Sequence, residues 1–199
     1  MGRRSTHSPD ELRKLILDAS RTIIETNGLV GLSAREIASH IGYSAGTLYN
    51  AFENIDDILM TLQCDLVSDL VTCLKKVPPD RDPNRHINAL SVAYVNFALD
   101  NRRLWNLLFT HAAPPDCALL EILRAHVNAI AEVIAEAFRP LLPKASSEDV
   151  DMAARALWAG VHGITAIAVT DKGPKITPAT AQAFTETLTS TFSRGLAQR

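Results

Sequence analysis

The sequence predicts an all-α fold of about nine helices. Three observations predict it. Apolar residues recur at spacings of three and four along most of the chain, and no segment alternates convincingly at period two. Helix boundaries recur as well, with Ser, Asp, Asn or Thr ahead of an apolar run and Gly or Pro after it. Of 199 residues, 47% are hydrophobic but only 6% aromatic, so the core is expected to consist of Ala, Leu, Ile and Val packed between helices. No internal repeat or low-complexity tract breaks the pattern.

The first helix is announced by Ser8-Pro9-Asp10-Glu11. Ser8 caps, Pro9 takes the first helical position, and Glu11 completes a capping box. Leu12, Leu15, Ile16, Ala19, Ile23 and Ile24 form one apolar face, and Asn27-Gly28 stops the helix. Residues 32–59 hold three more starts. Ser33 with Glu36 has the capping-box pattern, Ser44 caps a second short helix just after Gly42, and Asn54 caps a third. Asp56 and Asp57 lie in the first turn of the third, where acids complement the helix dipole. That helix runs from Ile55 to about Lys76 and ends before Pro78-Pro79. Asp82-Pro83 opens the next, to about Asn101, and Arg102 to about His111 forms a shorter one broken by Pro114-Pro115. Asp116 to Phe138, Ser146 or Ser147 to about Thr170, and Thr177-Pro178 to about Ala197 complete the set, with Asp171-Lys172-Gly173-Pro174 separating the last two.

Two short helices on a tight glycine turn form a helix-turn-helix, whose second helix is shaped for the DNA major groove. Ile37, Ile41, Leu48 and Phe52 are expected to close a small core against the first helix. Tyr43, Ser44, Ala45 and Gly46 form the leading end of the second short helix, the part that meets bases. Ala45 fits a thymine methyl, Ser44 donates or accepts, and Gly46 lets the backbone approach closely. Thr47 and Tyr49 carry hydroxyls on its exposed side, and Asn50 suits adenine or phosphate. Arg35 is long enough to reach the groove, and Ser33 sits at a helix N-terminus, where free amides favour phosphate. Each has a second reading: Ser33 and Ser44 as caps alone, Tyr49 packed on the first helix, Arg35 as a solvated charge. Arg3 and Arg4 form either a minor-groove arm or a frayed end.

These residues, Leu32-Ser33-Ala34-Arg35-Glu36-Ile37-Ala38, then Gly42-Tyr43-Ser44-Ala45-Gly46-Thr47-Leu48-Tyr49, then Phe52, resemble the N-terminal DNA-binding domain of the tetracycline-repressor (TetR) family of bacterial transcriptional regulators. The resemblance implies a sequence-specific DNA-binding regulator, a repressor because most of the family represses, with Thr47 and Tyr49 on backbone phosphate. Two positions depart from the family pattern. Ala51 stands where His is frequent, and Ile55 where a phosphate-binding Lys is frequent. Both changes remove phosphate contacts, so log affinity should fall less steeply with log salt than is usual for the family; a steep slope would contradict the loss. Ile55 has packing against the first helix as its alternative role. The formal net charge is −2, and residues 1–52 carry six cations against five acids, so DNA affinity must come from local placement of charge.

The expected division is a DNA-binding head over residues 1–54 and a helical effector-binding and dimerisation domain over 55–199. Tyr94 to Asn101, Leu104 to Phe109, and Trp158-Ala159-Gly160-Val161-His162-Gly163 resemble a C-terminal domain of this family with a Trp-His-Gly signature. By that resemblance the middle helices enclose a small-molecule effector pocket. Its candidate lining is Phe97, Trp105, Leu108, Phe109, Cys117, Leu120, Arg124, Trp158 and His162, apolar walls with a few polar groups. Read without the resemblance, these aromatics are core residues and His162 is a satisfied core histidine. The penultimate helix carries Ala153, Ala154, Leu157, Val161, Ile164 and Ala168 at helical spacing, and the last carries Ala181, Phe184, Leu188, Thr191 and Phe192. The resemblance implies that two such helices from each subunit form a four-helix bundle in a homodimer; the alternative is that these faces pack inside one subunit. A two-fold dimer presents two recognition helices to a pseudo-palindromic operator, with half-sites about 34–36 Å apart for one helical turn. An effector releases DNA only through its differential affinity for the two states.

The alternatives are an all-α interaction module or a helical enzyme, each without DNA binding; the module would leave the Thr47-Leu48-Tyr49 surface without a role. Helical di-metal enzymes need Glu-x-x-His pairs, and no Glu here has His at the third position after it. The six histidines are dispersed, and Cys64, Cys73 and Cys117 are odd in number and widely spaced, which fits neither a disulfide framework nor a metal cluster. No metal, cofactor or catalytic set is expected. There is no run of 18 apolar residues and no apolar stretch at the N-terminus, so neither a membrane span nor a secretory signal is expected, and the cytoplasm is the expected compartment.

Overall fold

The computed structural model describes residues 7–114, 116–170 and 176–196. Among them are nine α-helices and no strand: α1 (Pro9–Asn27), α2 (Ala34–Ile41), α3 (Ala45–Leu48), α4 (Ile55–Lys75), α5 (Pro83–Asp100), α6 (Arg102–Thr110), α7 (Leu119–Phe138), α8 (Ser147–Val169) and α9 (Pro178–Leu196). The all-α expectation is met. Arg3, Arg4, Pro115, the Asp171–Pro174 separator and Ala197 lie outside the described residues.

The caps explain the boundaries. At α1 both halves of the capping box form, Ser8 Oγ accepting from the Glu11 N–H and the Glu11 carboxylate accepting from the Ser8 N–H at 2.7 Å. Hydrogen bonding to the carboxylate from the Ser8 N–H, and next from the Ser8 side chain, holds the Glu11 carboxyl below its ordinary pKa. At α2 the serine half is formed, Glu36 N–H to Ser33 Oγ at 3.1 Å. Gly42 ends α2 in the left-handed region at φ 73°, which releases the Tyr43 N–H to the Ala38 carbonyl at 2.9 Å. Asn54 caps α4 by accepting from the Asp57 N–H at 2.9 Å. Two expectations shift. Ser44 occupies the cap position of α3, but its hydroxyl bonds Thr47 Oγ1 at 2.9 Å instead of a backbone N–H. And α7 begins at Leu119 instead of Asp116, because Cys117 closes a turn onto the Pro114 carbonyl before the helix takes over.

The chain divides into two compact units. The first comprises Met1–Asp65 and Arg103–Leu120, the second Leu66–Arg102 and Glu121–Arg199. This differs from the expected boundary at residue 54, since the first half of α4 and all but the first residue of α6 join the head's unit. The physical ties are visible. His111, just past α6, bonds Asp56 Oδ1 through Nε2 and the Gln63 amide through Nδ1, each at 2.9 Å, and the Arg103 guanidinium donates to the Glu25 and Thr26 carbonyls at the end of α1. The buried core of this unit includes Leu12, Ile16, Ile23, Ile24, Ile37, Leu48, Phe52, Ile58, Leu62 and Trp105.

In the second unit α5, α8 and α9 pack against one another. Gly160 allows α8 and α9 to approach closely, because a β-carbon there would lie 2.7 Å from Leu188 Cδ2. Thr185 and Thr189 are buried on α9; the Thr185 hydroxyl donates to the Ala181 carbonyl, and the single Thr189 hydroxyl proton is shared between the Thr185 carbonyl and Asn88 Oδ1 on α5, 2.8 Å away. Phe138 is fully buried and meets Phe192 edge to face with centroids 6.1 Å apart. By length and composition α8 is apolar enough to cross a membrane, although the sequence has no unbroken apolar run of that length; here it packs against both α5 and α9.

Six residues expected at a dimer surface belong to this interior. Ala153, Ala154, Leu157, Val161, Ala168 and Ala181 are each buried within the unit, because its own helix crossings take up these small residues. Ile164, Leu188 and Phe192 are half-buried, and Thr191 and Phe184 are exposed. The outward stripe of α8 is instead Met152, Ala156, Ala159, Gly163 and Ile167, and that of α9 is Phe184, Thr187 and Thr191.

Candidate functional site

The helix-turn-helix lies wholly in the first unit. Ser33, Arg35, Ser44, Gly46, Tyr49 and Asn50 are exposed, and Tyr43, Ala45 and Thr47 are half-buried. Tyr49 is 54% exposed, so more than half of its surface is open to solvent. Between Thr47 and Tyr49, Leu48 is buried at 1% exposure and anchors the segment. Regular α3 is only four residues long. The Asn50, Ala51 and Phe52 N–H groups then bond back to the Thr47 and Leu48 carbonyls, so Tyr49 and Asn50 sit on a closing turn instead of a helix interior. No Cβ obstacle stands at Gly46 closer than Ser44 Oγ at 3.9 Å, so this backbone is open to a close approach. Ser33 spends a lone pair on its cap, but its hydroxyl is exposed and keeps its proton for an outside acceptor.

Sequence reasoning missed two residues that hold this surface. Arg13 on α1 donates to the Ala51 carbonyl at 2.8 Å and to Thr61 Oγ1 at 3.3 Å, and its guanidinium lies 4.0 Å from the Phe52 ring centroid. One side chain thus ties α1 to the end of the recognition segment and to α4. His7 Nδ1 lies 2.6 Å from the Tyr43 hydroxyl and fixes the ring ahead of α3. The partners of Arg13 lie 38 and 48 residues away, so no local pattern marks it. Arg13→Lys keeps the charge but cannot reproduce the fork and the stacking. It should weaken binding to a specific duplex about fivefold, as expected for one lost hydrogen bond, with little change on random DNA. Unchanged specific affinity in a filter-binding titration would refute a positioning role.

The nine expected pocket residues are divided between the two units. Trp105, Leu108, Phe109, Cys117 and Leu120 belong to the first unit, and Phe97, Arg124, Trp158 and His162 to the second. Trp105 is fully buried, Phe109 is 53% exposed, and Arg124 is an exposed residue bonded to Glu121 on its own helix. Cys117 and Leu120 are half-buried; Cys64, which donates to the Leu119 carbonyl at 3.4 Å, has its thiol pushed up to about 11 by burial and by nearby Asp65 and Cys117.

The second unit does hold a small internal cavity, lined by Leu74, Leu90, Ser91, Tyr94, Ile134, Leu157, Trp158 and Val161. It leaves about 10 Å³, room for about one water-sized sphere. Beside it, Tyr94 Oη and His162 Nδ1 are 2.7 Å apart, and Trp158 is tilted against His162 with centroids at 5.9 Å. Burial raises the Tyr94 pKa far above the ordinary phenol range, with a small opposing pull from the Trp158 N–H, and burial lowers that of His162. Both groups are therefore held neutral. Because the folded His162 resists protonation, the unfolded chain takes up more protons below pH 6.5, so stability falls as pH drops below that value. His162→Gln should flatten part of this decline in urea titrations between pH 7 and 5; identical pH profiles would refute it.

A model described as "Bacterial regulatory proteins, tetR family" matches residues 16–61, and one described as "Tetracyclin repressor-like, C-terminal domain" matches residues 87–192. An HTH-type transcriptional regulator of Mycobacterium bovis is 26% identical over 115 residues, 54% of this chain and 49% of the relative. An uncharacterised HTH-type transcriptional regulator of Mycobacterium tuberculosis is 23% identical over 86 residues, 43% of this chain and 39% of the relative. The matched stretches thus span half or less of these curated relatives. A solved structure of a protein of unknown function from Rhodococcus sp. RHA1 aligns over 99% of this chain and 100% of its own, with TM-score 0.76 and 25% identity. The TetR family transcriptional regulator PfmR from Thermus thermophilus shares the fold at TM-score 0.68 and 18% identity, over 88% of this chain and 97% of its own.

Proposed function

The chain belongs to the tetR family of bacterial regulatory proteins, and from that premise we propose that it is a sequence-specific DNA-binding transcriptional regulator. In this reading it acts in the cytoplasm as a homodimer, represses from a pseudo-palindromic operator, and is released by a small-molecule effector. One observation carries the proposal: the turn after Gly42 presents Ser44, Gly46, Tyr49 and Asn50 to solvent on a segment anchored by buried Leu48 and clamped by Arg13. Exposed polar side chains on a rigid support are what base and phosphate contacts need.

The outward stripe Met152, Ala156, Ala159, Gly163 and Ile167, with Phe184 and Thr191 on α9, supports a two-fold interface. Small residues there permit close helix approach, and exposed Phe184 and Ile167 supply apolar area. The cavity at Trp158 supports an effector, and α4 runs without interruption from Ile55 to Lys75, so Leu74 of the cavity lies on the helix that begins directly after the head. Sedimentation of the protein with a specific duplex tests the reading: two chains per duplex are expected, and one chain per duplex would overturn the dimer.

A further inference from the structure

Resting on the effector reading above, we propose that the effector is a neutral, mostly apolar molecule that presents one hydrogen-bond acceptor, a carbonyl oxygen, to the indole N–H of Trp158. The cavity walls are aliphatic apart from Ser91, Tyr94 and Trp158, and no charged residue lines them. Ser91 Oγ already donates to the Ile87 carbonyl at 2.9 Å. Tyr94 Oη is engaged with His162 Nδ1 at 2.7 Å. Trp158 Nε1 is near enough to Tyr94 to act on its phenol, yet it remains buried with no partner in hydrogen-bonding geometry. A buried N–H without an acceptor is a standing cost, and an indole nitrogen can only donate. The open polar valence of the cavity is therefore a donor.

That valence selects a class of ligand. An ammonium brings more donors to a place that needs an acceptor, and no carboxylate lines the walls to pair with it. A carboxylate would satisfy the N–H, but its charge would be buried without a cation, which costs far more than one hydrogen bond returns. A carbonyl oxygen meets the N–H without introducing a charge. The cavity admits a single heavy atom in this state, so the ligand's apolar body must displace flexible aliphatic side chains, of which Leu74, Leu90 and Leu157 are the nearest.

The test is calorimetric titration of the full-length protein with three probes of equal chain length: 2-nonanone, nonanoate and nonylamine. The ketone is expected to bind saturably and about tenfold more tightly than either ion. Trp158→Phe, which keeps a large ring and loses the donor, should weaken the ketone about fivefold without shifting the melting temperature. Equal or tighter binding of nonanoate or nonylamine, an unaltered ketone affinity in Trp158→Phe, or no ketone binding at millimolar concentration would each overturn the proposed class. Binding of the same samples to a selected duplex is measured in parallel. Intact DNA binding with failure of the ketone refutes the ligand class alone, whereas loss of DNA binding by the folded protein refutes the regulator reading.

Discussion

Replacing Thr47 by Val and Tyr49 by Phe together should weaken binding to a specific duplex about a hundredfold while the melting temperature moves by no more than about 2 °C. Each substitution removes one hydroxyl and little else. Tyr49 is more than half exposed, and the Thr47 hydroxyl bonds Ser44 Oγ, three residues before it. The fold therefore has little need of either hydroxyl, whereas a phosphate contact would lose its donor. One hydrogen bond to a charged acceptor contributes about 1.5 kcal/mol or more, roughly tenfold in affinity. Fluorescence anisotropy on a specific duplex measures the loss. An unchanged affinity in the folded double variant would mean that this surface does not face DNA.

The largest effect on stability is expected at Phe138. Its side chain is fully buried and stands edge to face with Phe192. Phe138→Ala should cost about 3–5 kcal/mol, the transfer of a large ring plus the void it leaves. For a chain of this size that lowers the melting temperature by about 10 °C. Phe184→Ala is the contrasting case, because Phe184 is 48% exposed. It should leave the melting temperature of the isolated subunit nearly unchanged and weaken self-association instead. Calorimetry at low and high protein concentration separates the two. A fall of less than about 2 °C for Phe138→Ala would contradict the packing described.

What was legible in the sequence follows the range of the interactions. Ser8, Ser33 and Asn54 each cap through a partner three residues away, and Gly42 stops α2 through its own φ, so these boundaries could be read directly. Periodicity on α8 and α9 identified an apolar face, but spacing does not say which neighbour covers it. The small residues Ala153, Ala154 and Ala181 serve the subunit's own helix crossings, and the outward stripe of α8 was left unnamed, whereas Phe184 and Thr191 of α9 were named and do face outward. The pocket list gathered aromatics by type. Only Trp158 of the nine lines the cavity, while Leu157 and Val161, expected at a dimer surface, are its walls. Arg13 was invisible for the same reason, since its contacts with Ala51 and Thr61 exist only after the chain has folded back on itself.

The salt expectation gains a structural side. Ala51 offers no donor beyond its backbone, and its carbonyl is already taken by Arg13. Ile55 is half-buried at the start of α4, beside the acids Glu53, Asp56 and Asp57. A low slope of log affinity against log salt is expected from that arrangement. Specificity then has to come from the exposed segment after Gly42.

The central claim, that this segment reads DNA sequence, is tested most directly by selection from random duplexes with the purified protein at moderate salt. A recovered pseudo-palindrome with half-sites about one helical turn apart is the result predicted. Recovery of no motif, from protein verified as folded and dimeric, would contradict it.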